Sequence, residues 1–168
     1  HYGNTAHLQT VAVPAGQRAQ ITLADGTKVW LNAQSTLTYS HDFGRNERNV
    51  ELDGGAYFEV AKNREIPFYV NTETNQVRIV ETHFNVCAYR GSNEFTTTLL
   101  EGIADIYAKG SEHSLTRLGG TRFLFSGTES SERSVLLILI ISVGKMVYTV
   151  LMILLLTCCL VNWRNIIK

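Results

Sequence analysis

Three features of the first two thirds of this chain predict an all-β fold, either an antiparallel, hairpin-rich sandwich or a solenoid-like stack. Short runs alternate apolar and polar residues with a period of two. Asp-Gly pairs and polar Thr/Asn/Glu segments separate those runs. Strand signals recur about every 8–12 residues, and no amphipathic helix intervenes. No repeat of fixed period is present, so the solenoid stays open beside the sandwich.

The elements follow in order from Val11. In "AQITLADGTKVWLN", Ile21 and Leu23 alternate with Gln20 and Thr22, and Val29 and Leu31 alternate with Lys28, Trp30 and Asn32. Asp25-Gly26 between them supplies the positive φ angles of a tight hairpin turn. Trp30 falls on the face opposite Val29 and Leu31, so both faces are expected to be partly covered. "NVELDGGAYFEVA" holds a second Asp-Gly, Asp53-Gly54, between Val50/Leu52 and the run Tyr57-Phe58-Glu59-Val60. Further strands are expected around Phe68–Val70, Val77–Val80, Phe84–Tyr89, Thr96–Leu100 and Ala104–Tyr107, with Gly102 near a turn.

The chain has 168 residues and a formal net charge of zero, enough for one domain of ordinary size. The charge is split. Residues 1–112 carry nine Lys and Arg against thirteen Asp and Glu, and residues 113–168 carry six against two. The acidic part has no basic patch, which excludes an electrostatic footprint for nucleic acid. The cysteines are Cys87, Cys158 and Cys159, which make neither a disulfide framework nor a zinc spacing.

Residue types capable of chemistry are present but do not converge in sequence. Histidines stand at 1, 7, 41, 83 and 113, and His83 reads as a partly exposed strand residue. Ser35 lies outside any nucleophile elbow and reads as a turn or cap residue. Glu51, Asp53, Glu59, Glu101 and Asp105 could supply a carboxylate pair, but solvated strand faces are the ordinary reading. Cys87 between Val86 and Ala88 reads as a buried, inert thiol. The Gly pairs at 54–55 and 119–120 lack the Lys and helix of a phosphate loop. Trp30, Tyr39, Phe43, Tyr57, Phe58, Phe68, Tyr69, Phe84, Tyr89 and Tyr107 could form a sugar-binding row or, more ordinarily, core and cross-strand pairs.

Four phrases in order are more specific than any one of them: "VPAGQRAQITLADGTKVWLNAQSTLTY" (13–39), "VELDGGAYFEVAKNREIPFYVNT" (50–72), "ETHFNVCAY" (81–89) and "TTLLEGIADIY" (97–107). Together they resemble the periplasmic domain of the FecR family, membrane-spanning sigma-factor regulators paired with TonB-dependent outer-membrane receptors. The residues that carry the resemblance are Gly16, Asp25, Gly26, Thr27, Trp30, Leu31, Asn32, Gly54, Ala56, Tyr57, Phe58, Val60, Pro67, Phe68, Thr82, Phe84, Asn85, Val86, Tyr89, Glu101 and Gly102. Gly55 stands where the family usually has Glu, and Glu81 stands where it usually has Gly.

The resemblance implies structural roles for these residues, with no catalytic group, cofactor or metal. It implies a connector at 1–10 following a membrane helix upstream, a β domain at 11–112 and a linker at 113–134. It also implies protein partners, namely a receptor signalling domain and, through an N-terminal part, a sigma factor. The place implied is the periplasmic face of the inner membrane. A membrane-anchored carbohydrate- or ligand-binding β module is the alternative, and an enzyme such as a glycosidase is the weakest reading.

The segment 135–163 is apolar enough to span a bilayer, with Lys145 interrupting it and Arg164 and Lys168 beyond it. A second reading comes from the genetic code. Taken from the third codon base, Met146-Val147 forces Gly, Met152-Ile153 forces Asp, and Cys158-Cys159 and Asn162-Trp163 each force Leu. These letters fit the Trp-Lys-Asp-Gly and Leu-Glu pattern that follows the β domain in the family. The segment is therefore expected to be either a literal transmembrane helix or a frameshift product.

Overall fold

The computed structural model describes residues 7–80, 82–92 and 94–109, and the strand path of 114–118, 121–126 and 129–134. The apolar segment 135–163, Glu81, His1, His113, Gly119-Gly120, Cys158 and Cys159 lie outside the described residues. Among the described residues no helix is long and apolar enough to cross a membrane.

Among the described residues thirteen strands run β1 (Leu8–Val13), β2 (Ala19–Thr22), β3 (Lys28–Leu31), β4 (Ser35–Ser40), β5 (Arg48–Glu59), β6 (Phe68–Asn71), β7 (Asn75–Ile79), β8 (His83–Ala88), β9 (Glu94–Leu99), β10 (Ile103–Ala108), β11 (Ser114–Leu118), β12 (Thr121–Ser126) and β13 (Glu129–Ser134). They form two sheets that share β5. One has the order β1-β4-β5-β6-β7-β10-β11, and the other β2-β3-β5-β8-β9-β12-β13. The all-β class holds, and the sandwich is the form it takes.

β5 is the strand that joins them. Its first half pairs with β4 and β6, and its second half, from Gly54, pairs with β3 and β8. Asp53-Gly54 is therefore not a hairpin turn, as its composition suggested. It is the corner at which one extended strand changes sheets. Gly54 takes φ +118°, and a Cβ there would stand 2.7 Å from Ser35 Cβ and 2.8 Å from Ser35 Cα. Only glycine lets the strand approach the start of β4 this closely.

Among the described strands every pairing is antiparallel except β5 with β6, where Arg48 faces Phe68 and Glu51 faces Asn71 in parallel register. Parallel neighbours need a crossover of a dozen or more residues. Here the second half of β5 is the first part of that crossover. The chain leaves the first sheet, runs through the second, and returns by residues 60–67.

Inward residues of the two sheets bury one continuous core. Val29, Leu31, Ala56, Phe58, Phe84 and Val86 come from one side, and Leu37, Val50, Phe68, Val70, Val77 and Ile106 from the other. Phe58 stacks on Phe84 at 4.9 Å and meets Phe68 edge-on at 5.8 Å, so the rings of the two sheets interlock. Phe43, from the turn after β4, closes the end with an edge contact to Phe68 at 5.8 Å. Full burial of each such ring contributes about 1.5–3 kcal/mol.

Two further expectations change. The span expected as a linker supplies β11, β12 and β13, with Phe125 of β12 opposite Phe95 of β9. Its alternation in "TRFLFS" is a strand signal that the basic composition of the C-terminal third obscured. The β2–β3 turn is a three-residue loop closed by Leu23 N–H to Thr27 O at 2.8 Å and Gly26 N–H to Leu23 O at 3.0 Å. Only Gly26 takes positive φ, at 88°, and Asp25 serves through its carboxylate.

The corner is the first point of failure. Gly54→Ala is expected to lose about 3 kcal/mol of unfolding free energy from overpacking and a strained φ. Gly16→Ala, at φ +74° with nothing within 4 Å of the new Cβ, is expected to lose about 1 kcal/mol. Urea denaturation of the two variants measures the difference, and equal losses would contradict the corner.

Candidate functional site

The residues that carry chemistry fall into two internal nodes and one outer face. The first node surrounds Arg48, whose side chain has no solvent exposure. It sits at the inward parity of β5, in step with Val50 and Leu52. Its Nε donates to Ile66 O at 2.7 Å. One terminal nitrogen donates to Ala61 O at 2.7 Å and to Asp25 Oδ2 at 3.1 Å. The other donates to Asn63 O at 3.2 Å and to Val80 O at 3.5 Å. The guanidinium also lies over the Phe68 ring, 5.7 Å from its centroid.

Five donors in a fixed fork thus meet five acceptors, which is what allows a guanidinium to be buried at all. Asp25 in turn accepts from Thr27 N–H at 2.9 Å and Thr27 Oγ1–H at 2.8 Å, and Thr27 Oγ1 accepts from Ala61 N–H at 3.1 Å. The β2–β3 turn and the returning segment of the crossover are therefore locked to β5. Within that segment Asn63 Oδ1 accepts from the N–H groups of Glu65 and Ile66. Lys62, Arg64 and Glu65 remain exposed.

The second node is the β5 corner. Ser35 Oγ accepts from Gly55 N–H at 2.9 Å and donates to Ala33 O at 3.2 Å. Asn32 N–H donates to Gly55 O at 2.8 Å, Tyr89 Oη–H to Ala33 O at 3.0 Å, and Arg90 N–H to Asp53 Oδ1 at 2.9 Å. Ser35 is buried and holds the corner, which is more than the turn role its sequence suggested.

On the outer face of the first sheet a shallow depression of about 340 Å³ lies among Thr36, Thr38, Glu51, Asp53, Glu73 and Arg90. Its charges are mixed, and two of its carboxylates are engaged: Glu73 accepts from Gly91 N–H at 2.9 Å and Asp53 from Arg90 N–H. Elsewhere on this face Arg78 pairs with Asp105 at 3.2 Å. Its guanidinium is held further above the ordinary value, first by the hydrogen bond with Tyr69 and then by Asp105, against the opposing effect of burial.

The carboxylates considered from sequence do not gather. Glu51 and Asp53 lie on the outer face of one sheet, and Glu59 pairs in register with His83 in the other. Glu101 meets His83 Nδ1 at 2.7 Å, and Asp105 belongs to Arg78. His7 and His41 are exposed near the start of β1 and the end of β4. Among the described residues no cluster of His, Cys, Asp or Glu could hold a metal. Cys87 is half-buried on β8, where burial had been expected, because its side of the sheet carries only Gly55 and Thr96 opposite it. The aromatic row required by a sugar-binding module does not form. Trp30 packs on the buried Tyr57 at 5.4 Å, and the other eight aromatics considered are buried or half-buried.

The residues that carry the resemblance lie mostly in the two nodes and the core. Asp25, Gly26 and Thr27 make the first node, and Asn32, Gly54 and Tyr89 the second. Leu31, Ala56, Tyr57, Phe58, Val60, Phe68, Phe84, Asn85 and Val86 are buried in or beside the core, and Pro67 leads into β6. Thr82 Oγ1 donates to Glu101 O beside Gly102, whose φ is 82°. Gly16 turns the chain between β1 and β2. Arg48 was missed. Its signal was a lone Arg in step with Val50 and Leu52, which marks a cation at a core position.

Removing Arg48 tests the first node. Arg48→Met leaves Asp25 and the carbonyls of Ala61, Asn63 and Ile66 without their donor and is expected to cost about 3–5 kcal/mol. Asp25→Asn keeps an acceptor and is expected to cost about 1–2 kcal/mol. Chemical denaturation reads both values. Hydrogen exchange at the Ala61 amide is expected to accelerate in each variant.

The comparisons with known proteins agree with this scaffold. No curated protein matches the chain. Two crystal structures of a protein from Parabacteroides distasonis assigned as an anti-sigma factor share the fold. One has a TM-score of 0.71 and the other 0.70, each at 28% identity. The matches cover 76% and 75% of this chain, which spans only 60% and 59% of those proteins. The family described as "FecR protein" matches residues 9–105, from β1 into β10. That match takes in both nodes and most of the core, and the chain belongs to the FecR family.

Proposed function

We propose that this chain carries the regulatory domain of an anti-sigma factor, which works by binding proteins and not by catalysis. The observation that supports this most is the shared fold with the Parabacteroides distasonis anti-sigma factor over three quarters of the chain. In this reading the domain stands on the periplasmic face of the inner membrane, anchored in it. It relays the occupancy of a TonB-dependent outer-membrane receptor, through the receptor's signalling domain, to an extracytoplasmic-function sigma factor held by a cytoplasmic part of the protein.

Such a relay needs a regulator with two states to which receptor and sigma factor bind with different affinity. A coupling of about 1–3 kcal/mol changes sigma-factor affinity about 5- to 150-fold, enough to switch a promoter. The interior of the domain fits a protein-binding role. Its buried cation is committed to backbone carbonyls and Asp25, and its corner hydroxyl to backbone groups, which leaves recognition to surface loops and sheet faces.

Deletion of the gene, in a host carrying a reporter for a promoter driven by the cognate sigma factor, tests the proposal. The uninduced reporter is expected to rise at least about 5-fold, the low end of such couplings. It is expected to fall back when the intact gene is restored. A reporter indifferent to deletion, with and without the receptor's transported ligand, would overturn the regulatory reading.

A further inference from the structure

Among the described strands the first sheet ends on β1 and β11 and the second on β2 and β13. An open edge is a template for another strand, and proteins usually blunt it by shortness or charge. β2 has four residues and follows the exposed Arg18. β11 carries Arg117, and β13 carries Glu129, Glu132 and Arg133. β1, "LQTVAV", has six residues and neither a charge nor a proline. Leu8 is 65% exposed, one of two large apolar residues so placed among the described residues, and Gln9, Thr10 and Ala12 are exposed beside it.

We propose that β1 is a self-complementary edge to which a second copy of this chain adds its own β1, extending the sheet across a two-fold axis at Thr10. A two-fold perpendicular to the sheet returns each face to itself and runs the two strands antiparallel. Thr10 then faces Thr10 of the second copy, Gln9 faces Val11, and the exposed Leu8 covers the small Ala12. The neighbouring β4, "STLTYS", is also uncharged, so the four central strands of the joined sheet bring no like charges together. A second copy supplies an equally uncharged strand by identity. Pro14 follows β1 directly and lacks the N–H that would carry the pairing further. A strand pair of this length buries less than the roughly 800 Å² per partner of a standard interface, so the dimer is weak and depends on local concentration.

Cysteine cross-linking of the full-length protein in its own membranes tests this. Directly opposed residues of antiparallel strands have Cα atoms about 4.5–5.5 Å apart, inside the span a disulfide bridges. Under copper-phenanthroline, Thr10→Cys is expected to give a disulfide dimer beyond the wild-type background, which carries the natural cysteines. Thr38→Cys, one strand further in on each copy and so about 14 Å from its mate, is expected to give none. Leu8→Lys added to Thr10→Cys is expected to cut the dimer at least 5-fold. A Thr10→Cys variant that stays monomeric, or dimerises no better than Thr38→Cys, overturns the proposal. So does an adduct to a different protein in place of the dimer.

Discussion

One strand, β5, belongs to both sheets, and the rest of the fold is arranged around that fact. A strand that changes sheets must turn its ladder through a corner, where its N–H and C=O groups lose the regular partners of a sheet. Each lost partner in a buried setting costs about 1–3 kcal/mol. The protein meets this with groups brought from elsewhere in the chain. Ser35 Oγ takes the Gly55 N–H, the Asn32 N–H takes the Gly55 O, and Asp53 is fixed by the Arg90 amide. Gly54 has no Cβ because Ser35 occupies the space one would need.

The same shared strand creates the need for Arg48. Because β5 passes into the second sheet, the chain must return across the sandwich to lay β6 parallel to where β5 began. The returning segment has no ladder of its own, so its carbonyls need donors from inside. A single guanidinium reaches three of them and Asp25 together. Lysine has three donors and no fork, and an apolar side chain would leave the carbonyls bare. Burying a cation is costly, and a better-packed apolar core is often as stable. Here the cation fixes one return path among many, and the β2–β3 turn is positioned by the same Asp25.

Sequence made the strands legible because alternation is a local property. Ile21, Leu23, Val29 and Leu31 show their period without reference to anything distant, and Asp25-Gly26 marks the place of the β2–β3 hairpin. What stayed hidden was non-local. Asp53-Gly54 has the composition of a turn, and only the location of Ser35 decides that it is a corner. Arg48 looks like a surface charge until the carbonyls of Ala61, Asn63 and Ile66 are known to surround it. The parallel pairing of β5 with β6 cannot be read from either strand, since both alternate as antiparallel strands do. Resemblance found Asp25, Thr27, Gly54 and Tyr89 because it preserves position without a mechanism. In the structure Asp25 meets Arg48 of β5, Thr27 holds Asp25, Gly54 is the corner itself, and Tyr89 bonds Ala33 beside it.

A domain tied in this way limits how the proposed relay could pass a signal. The two nodes join both sheets, the first turn and the crossover segment, whose inward side chains share one continuous core. Interiors packed to this degree do not deform gradually, and a movement at one surface is transmitted as a movement of the body. Repacking would have to break the Arg48 fork or the Ser35 corner, each worth several hydrogen bonds. Differences in affinity are met at lower cost where no internal bond is given up, as at the exposed side chains of Arg64 and Glu65 and along the open edge of β1. The relay proposed for this domain would therefore work by exchanging what is docked on its surface, while the sheet-sharing strand keeps the two sheets together.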